Sequence, residues 1–134
     1  MRLSKKSRYG IRVMLYLAKN KKICSAKEIS EKEKIPFYLL EKILFAFYKN
    51  GLIQSKQGRE GGYFLLKPAE RITMLEILKV FEGDDIFSVS CSKRVNKKKS
   101  ICPIRDFWKA IQKQLVLFLV KTTLADLEKR KIKF

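Results

Sequence analysis

Three cysteines and no histidine among 134 residues bound the chemistry open to this chain. Cys91 and Cys102 flank a stretch holding Lys93, Arg94, Lys97, Lys98 and Lys99. Metal binding, redox chemistry and inert burial are the uses such thiols have outside a disulfide framework. Cys102 precedes Pro103 at the start of a helical pattern and neighbours Arg105, surroundings that favour a thiolate and its oxidation. A Cys91–Cys102 disulfide is then conceivable. Cys24 sits among Lys21, Lys22 and Lys27 and is a third redox candidate, because cations acidify a thiol; a small half-buried residue at a helix entrance is the alternative. Zinc would have neither a histidine nor a close cysteine pair to hold it. Without histidine no hydrolase triad can be built, and Gly58–Gly62 lacks the Lys-Ser/Thr ending of a phosphate loop. No enzyme is expected.

The charge points to a polyanion. Thirty-one Lys and Arg against 13 Asp and Glu leave a formal net charge of +18, far from what solubility alone asks of a small domain. Nucleic acid is the partner that fits best. With 46% hydrophobic and 11% aromatic residues the chain can bury a core of its own. The longest purely apolar run is Leu115 to Val120, too short for a membrane span, and no small-residue cleavage site follows the apolar stretch Ile11–Ala18. A cytoplasmic protein without membrane contact is expected.

The elements follow from periodicity and caps. From about Ser4 to Asn20, Tyr9, Val13 and Leu17 recur with Gly10 and Met14 at helical spacing, and Lys5, Lys6, Arg8 and Arg12 fall on other faces. Ser25-Ala26-Lys27-Glu28 is a capping-box pattern opening a short second helix to about Lys34. Pro36 suits the first position of a third helix with Leu40, Ile43, Leu44 and Phe47 inward, stopped by Asn50-Gly51. Two short strands, 52–56 and 63–66, flank the glycine-rich turn 57–62. Thr73-Met74-Leu75-Glu76 caps a helix to about Glu82, ended by Gly83. Pro103 starts the longest helical pattern, with Ile104, Phe107, Trp108, Ile111, Leu115, Phe118 and Leu119 in its stripe, running to about Arg130 and on the order of 40 Å. One small domain cannot cover such a helix, so a second copy of the chain is the natural cover.

A short helix, a tight break, a third helix and a glycine-tipped hairpin form the layout of a winged helix-turn-helix. The expected fold class is mainly α, with a two-stranded β-hairpin wing and a long C-terminal dimerisation helix. Residues 1–82 form the DNA-binding unit, 83–102 a basic, cysteine-flanked effector loop, and 103–134 the dimerisation helix and tail. Phe37, Tyr38, Glu41 and Lys42 open the third helix, where side chains reach base edges or phosphates; Phe37 and Tyr38 could equally be packing residues. Arg59 at the wing tip suits the negative potential of a minor groove. Arg2, Ser4, Lys5 and Arg8 are candidates for phosphate contacts, with a solvated basic face as the alternative.

Met1-Arg2-Leu3-Ser4 with Arg8-Tyr9, Lys27-Glu28-Ile29, Ile35-Pro36 with Leu40-Glu41, Asn50-Gly51-Leu52-Ile53 and Gly61-Gly62-Tyr63, in this order and spacing, resemble the IscR/NsrR/CymR-type transcription regulators, the Rrf-two family. The resemblance covers nearly the whole chain, including Cys102 followed by Trp108. It implies a homodimeric bacterial repressor or activator that binds a pseudo-palindromic duplex DNA operator. It also implies a loop in which three cysteines hold an iron-sulfur cluster, with a further ligand from elsewhere. Here Cys91 and Cys102 take the outer positions, Ser92, Asn96 and Ser100 lie between, and Arg105 stands where some relatives have histidine. A cluster completed by unusual ligands or another subunit, a thiol switch, and a pair of free thiols all remain open. At the wing, Gln57 occupies the place of the family's arginine, and Arg59 follows two residues later.

Overall fold

The computed structural model describes residues 3–84, 86 and 103–130. Its elements are α1 (Lys5–Lys19), α2 (Ala26–Glu33), α3 (Phe37–Lys49), β1 (Ile53–Lys56), β2 (Gly62–Leu65), a 3-10 turn (Ala69–Arg71), α4 (Met74–Glu82), α5 (Pro103–Lys121) and α6 (Leu124–Glu128). The core gathers the predicted apolar stripes: Val13, Met14 and Leu17 of α1, Leu40, Ile43, Leu44 and Phe47 of α3, and Ile77 of α4 are buried together. Gly10 lets two core rings approach the backbone of α1. A Cβ there would lie 2.6 Å from the Phe81 ring and 2.9 Å from that of Phe47, and the two rings meet edge to face at 5.1 Å.

β1 and β2 pair antiparallel with Ile53 opposite Leu65 and Lys56 opposite Gly62. The segment before α2 joins them as a one-residue third strand: the Cys24 N–H donates to the Tyr63 carbonyl at 3.0 Å, and the Tyr63 N–H returns the bond at 2.8 Å. Gly62 permits this, since a Cβ there would strike the Cys24 carbonyl. The wing is thereby tied to the entrance of α2.

The structure corrects several local expectations. Pro36 is the N-cap of α3 rather than its first helical residue; its carbonyl accepts from the N–H groups of Leu39 and Leu40. Ser25 caps α2, but Glu28 does not complete the box, because its carboxylate accepts from the Tyr16 hydroxyl at 2.8 Å and pairs with Lys22 at 3.4 Å. The long C-terminal helix stops at Lys121, giving about 28 Å rather than 40 Å. Thr123 turns to extended backbone and caps α6 through a reciprocal box with Asp126. Thr73 does the same for α4 with Glu76. The two threonines face each other in an isolated bridge, with the Met74 N–H donating to the Thr122 carbonyl at 2.9 Å and the Leu124 N–H to the Ile72 carbonyl at 2.8 Å. Leu124 and Ala125 are consequently buried in the core. Among the described residues no helix is long and apolar enough to cross a membrane.

At the far end of α4, Glu82 Oε1 accepts from the Ser7 hydroxyl at 2.6 Å and from the Ser4 N–H at 2.8 Å. These bonds hold its carboxyl below the usual carboxylate range, the Ser7 bond being the larger cause. Because the folded pKa lies below the unfolded one, the stabilisation is complete above the unfolded carboxylate value and is lost as pH falls through the depressed one. Glu82→Ala should cost about 1 kcal/mol in urea unfolding at pH 7. The gap to the parent protein should close at pH values low enough to protonate Glu82; a gap independent of pH would assign the loss to packing instead.

Candidate nucleic-acid interface

The α2–α3 turn is built by few groups. Lys34 adopts left-handed backbone (φ 53°, ψ 47°), the Ser30 carbonyl accepts from the N–H groups of Lys34 and Ile35, and the Ser30 hydroxyl donates to the Ile35 carbonyl at 2.7 Å. Ile35 plugs the core beneath the turn. From α1 the Arg12 guanidinium pairs with the Glu33 carboxylate at 3.1 Å and also reaches the Glu33 carbonyl, fastening the last turn of α2. Tyr9 lies under the same guanidinium, its ring centroid 5.6 Å away.

This turn sets the direction in which α3 presents its outer face. Phe37, Tyr38, Glu41 and Lys42 are all exposed, Tyr38 most of these aromatics at 67%, so Phe37 and Tyr38 are not core residues. Neither Glu41 nor Lys42 enters a salt bridge among the described residues. Lys5 and Arg8 are exposed on α1 and share a face with Arg12 at spacings of three and four, so a cationic row leads along α1 to the helix turn. Ser4 has a different task from the one its position suggested. Its hydroxyl caps α1 by accepting from the Ser7 N–H at 3.1 Å and donates to the Ser7 hydroxyl, leaving little capacity for a phosphate. Arg2 lies outside the described residues.

Beyond the last strand pair the wing tip exposes Gln57, Arg59 and Glu60. Gly58 supplies a positive φ of 111°, and the Gly61 N–H closes the tip on the Gly58 carbonyl at 3.0 Å. Arg59 makes no salt bridge among the described residues. The Cys24–Tyr63 bridge therefore couples this wing, next to its tip, to the same segment that starts the helix-turn-helix.

Cys24 itself is corrected as a redox candidate. It is wholly buried, and its thiol donates to the Lys22 carbonyl at 3.5 Å. Burial, followed by the neighbouring Glu28 carboxylate, pushes the thiol up to about 11, and the opposing effect of Lys22 does not restore acidity. Cys91, Cys102 and the lysines between them lie outside the described residues. Among the described residues no group of three His, Cys, Asp or Glu is placed to hold a metal ion.

α5 buries none of its residues completely. Ile104, Phe107, Trp108, Leu117, Phe118 and Val120 stay exposed. Leu119, expected in the outward stripe, packs instead against the core of its own chain.

Sequence reasoning missed Arg12 as the clamp on the turn and Glu82 as the anchor of α1. Both act across long sequence separations, between groups whose own neighbourhoods carry no trace of the pairing.

Comparison with known proteins agrees with this arrangement. The family model Rrf2, described as an iron-dependent transcriptional regulator, matches residues 3–130. The helix-turn-helix-type transcriptional regulator IscR of Klebsiella pneumoniae is 30% identical over 130 residues, covering 95% of this chain and 79% of its own length. The structure of CymR, the global cysteine regulator of B. subtilis, superposes with a TM-score of 0.84 at 29% identity, over 98% of each chain. The IscR of T. potens gives 0.80 at 27% identity, over 97% of this chain and 88% of that one. A winged helix-turn-helix whose element order, turn and hairpin coincide with those of known regulators over almost its full length places this chain in the Rrf2 family of DNA-binding transcription regulators.

Proposed function

We propose that the protein binds a pseudo-palindromic operator in duplex DNA as a homodimer and represses the adjoining promoter by occupying it, in the cytoplasm. The observation that supports this most is the outward face of α3, where Tyr38, Glu41 and Lys42 are exposed and Glu41 and Lys42 enter no salt bridge among the described residues, together with exposed Lys5 and Arg8 on α1 and Arg59 at the wing tip. Tyr38, Glu41 and Lys42, with Phe37 beside them, approach base edges in the major groove, where Glu41 accepts from a cytosine amino group. Arg59, with Gln57 next to it, meets the minor groove or backbone. Arg2, Lys5 and Arg8 contact phosphates and set the register. Support for the homodimer comes from Ile104, Trp108, Ile111, Leu115 and Phe118, whose alternating spacings of four and three make a seam along α5; among the described residues Ile104, Trp108 and Phe118 are exposed and Ile111 and Leu115 half-buried.

The signal is assigned to Cys91 and Cys102. An iron-sulfur centre is normally held by four soft ligands, and its role would be to report iron or oxidant status to the DNA-binding unit. The donor set of one chain does not fit it: with Cys24 committed to the core and no histidine, two thiols remain. Reversible oxidation of Cys91 and Cys102 is the reading this donor set supports.

Duplexes selected from a random pool provide the test. Tyr38→Ala should weaken binding to the selected site about tenfold while changing binding to a scrambled duplex by less than about threefold; equal loss on both would remove Tyr38 from base recognition. A steep salt dependence with no sequence selected would instead mark a nonspecific, architectural DNA-binding protein. Phe118→Glu should sediment as a monomer, and a dimeric variant would place the interface elsewhere.

Anaerobically purified protein should contain neither iron nor sulfide in stoichiometric amount, and Cys24 should react with a thiol reagent only after unfolding. Bound iron and sulfide that disappear in Cys91→Ala would establish a cluster sensor with a nonstandard ligand set.

A further inference from the structure

The reading face of α3 carries a large apolar side chain that the polar contacts above do not use. Phe45 is 64% exposed and makes no aromatic pair among the described residues. At about 100° per residue, the buried Leu40, Ile43, Leu44 and Phe47 occupy one side of the helix, while Tyr38, Lys42, Phe45 and Lys49 fall on the opposite side. Glu41 and Lys42 stand one turn before Phe45 and Tyr48 one turn after, so the ring is in the middle of the exposed row. A lone exposed phenylalanine elsewhere would call for no explanation. Its position in this row decides the question, because whatever the face meets, Phe45 meets at its centre.

A phenyl ring has no donor or acceptor for a phosphate oxygen or for the polar base edges. The apolar group that a base pair offers in the major groove is the C5-methyl of thymine. We propose that Phe45 is a specificity-determining residue that packs on a thymine methyl in each half-site, about 10 Å farther along α3 than the contact of Tyr38. The inference rests on the sequence-specific DNA reading given above and adds one base preference to it. Removing the methyl deprives the ring of its partner and leaves hydrogen bonding by the base unchanged, so thymine and uracil separate this contact from every polar one.

The experiment uses the full chain and its Phe45→Ala variant. Each is put through selection from a random duplex pool, and affinity is then read by fluorescence anisotropy on the selected site with deoxyuridine replacing each thymine in turn. The parent protein is expected to lose about three- to tenfold at one thymine per half-site. Phe45→Ala should bind the thymine and uracil duplexes equally at that position and accept other bases there. An unchanged thymine-to-uracil ratio in Phe45→Ala, or a parent protein that selects a motif but ignores uracil at every thymine, overturns the proposal and leaves the operator reading standing. A parent protein that selects no motif overturns both. Because the side chain is outside the core, the variant retains the fold, which its unfolding curve verifies.

Discussion

Where Gly10 withholds a side chain, the rings of Phe47 and Phe81 press against the backbone of α1, and three helices are fixed to one another at a single point. This contact sets the separation between the cationic row of α1 and the outward face of α3. Phe47 is the buried counterpart of that face, so any shift of its ring would rotate Tyr38 and its neighbours against the phosphate contacts. A larger residue at position 10 would have to displace aromatic rings rather than flexible chain ends, and a close-packed interior offers no room for that. Recognition geometry in this protein is therefore a property of core packing.

Around that contact, the polar bonds act as ties between elements distant in sequence. Arg12 holds the end of α2 at the turn, Glu82 holds the first turn of α1, and the Cys24–Tyr63 bridge holds the wing. Glu28 illustrates how one tie excludes another. Its carboxylate is drawn to Tyr16 and Lys22, which lowers its pKa, chiefly through the Tyr16 bond, and leaves the local capping box half made. Burial and the same carboxylate push the Tyr16 phenol up to about 12, so the hydroxyl stays a donor.

Most of the fold was legible because helical periodicity and glycine punctuation are local. The stripe of α3, the strands either side of 57–61 and the Thr73 box are all visible within a few residues. The break in the C-terminal helix was also written locally, as Thr123-Leu124-Ala125-Asp126, but the continuous apolar pattern on both sides concealed it. At Cys24 the lysines nearby in sequence say nothing about burial, which is the larger cause of the raised thiol pKa, and Glu28, four residues on, adds to it. At the candidate site, exposure of Tyr38, Glu41 and Lys42 followed from the phase of the helix. The Ser4 hydroxyl is taken up locally by the α1 cap with Ser7, while the bond that fixes its backbone comes from Glu82, 78 residues away.

The paired threonines at 73 and 123 give α5 a fulcrum. Both of the helices that begin there are capped at the same bridge, and α6 continues directly into buried Leu124 and Ala125, so the Lys121 end of α5 cannot slide without breaking hydrogen bonds and caps together. With a lever of about 28 Å, a tilt of about 5° carries the Pro103 end through about 2.5 Å. Small angular changes at a rigid root thus become displacements the size of an atom at the end of α5 nearest Cys102 in the chain.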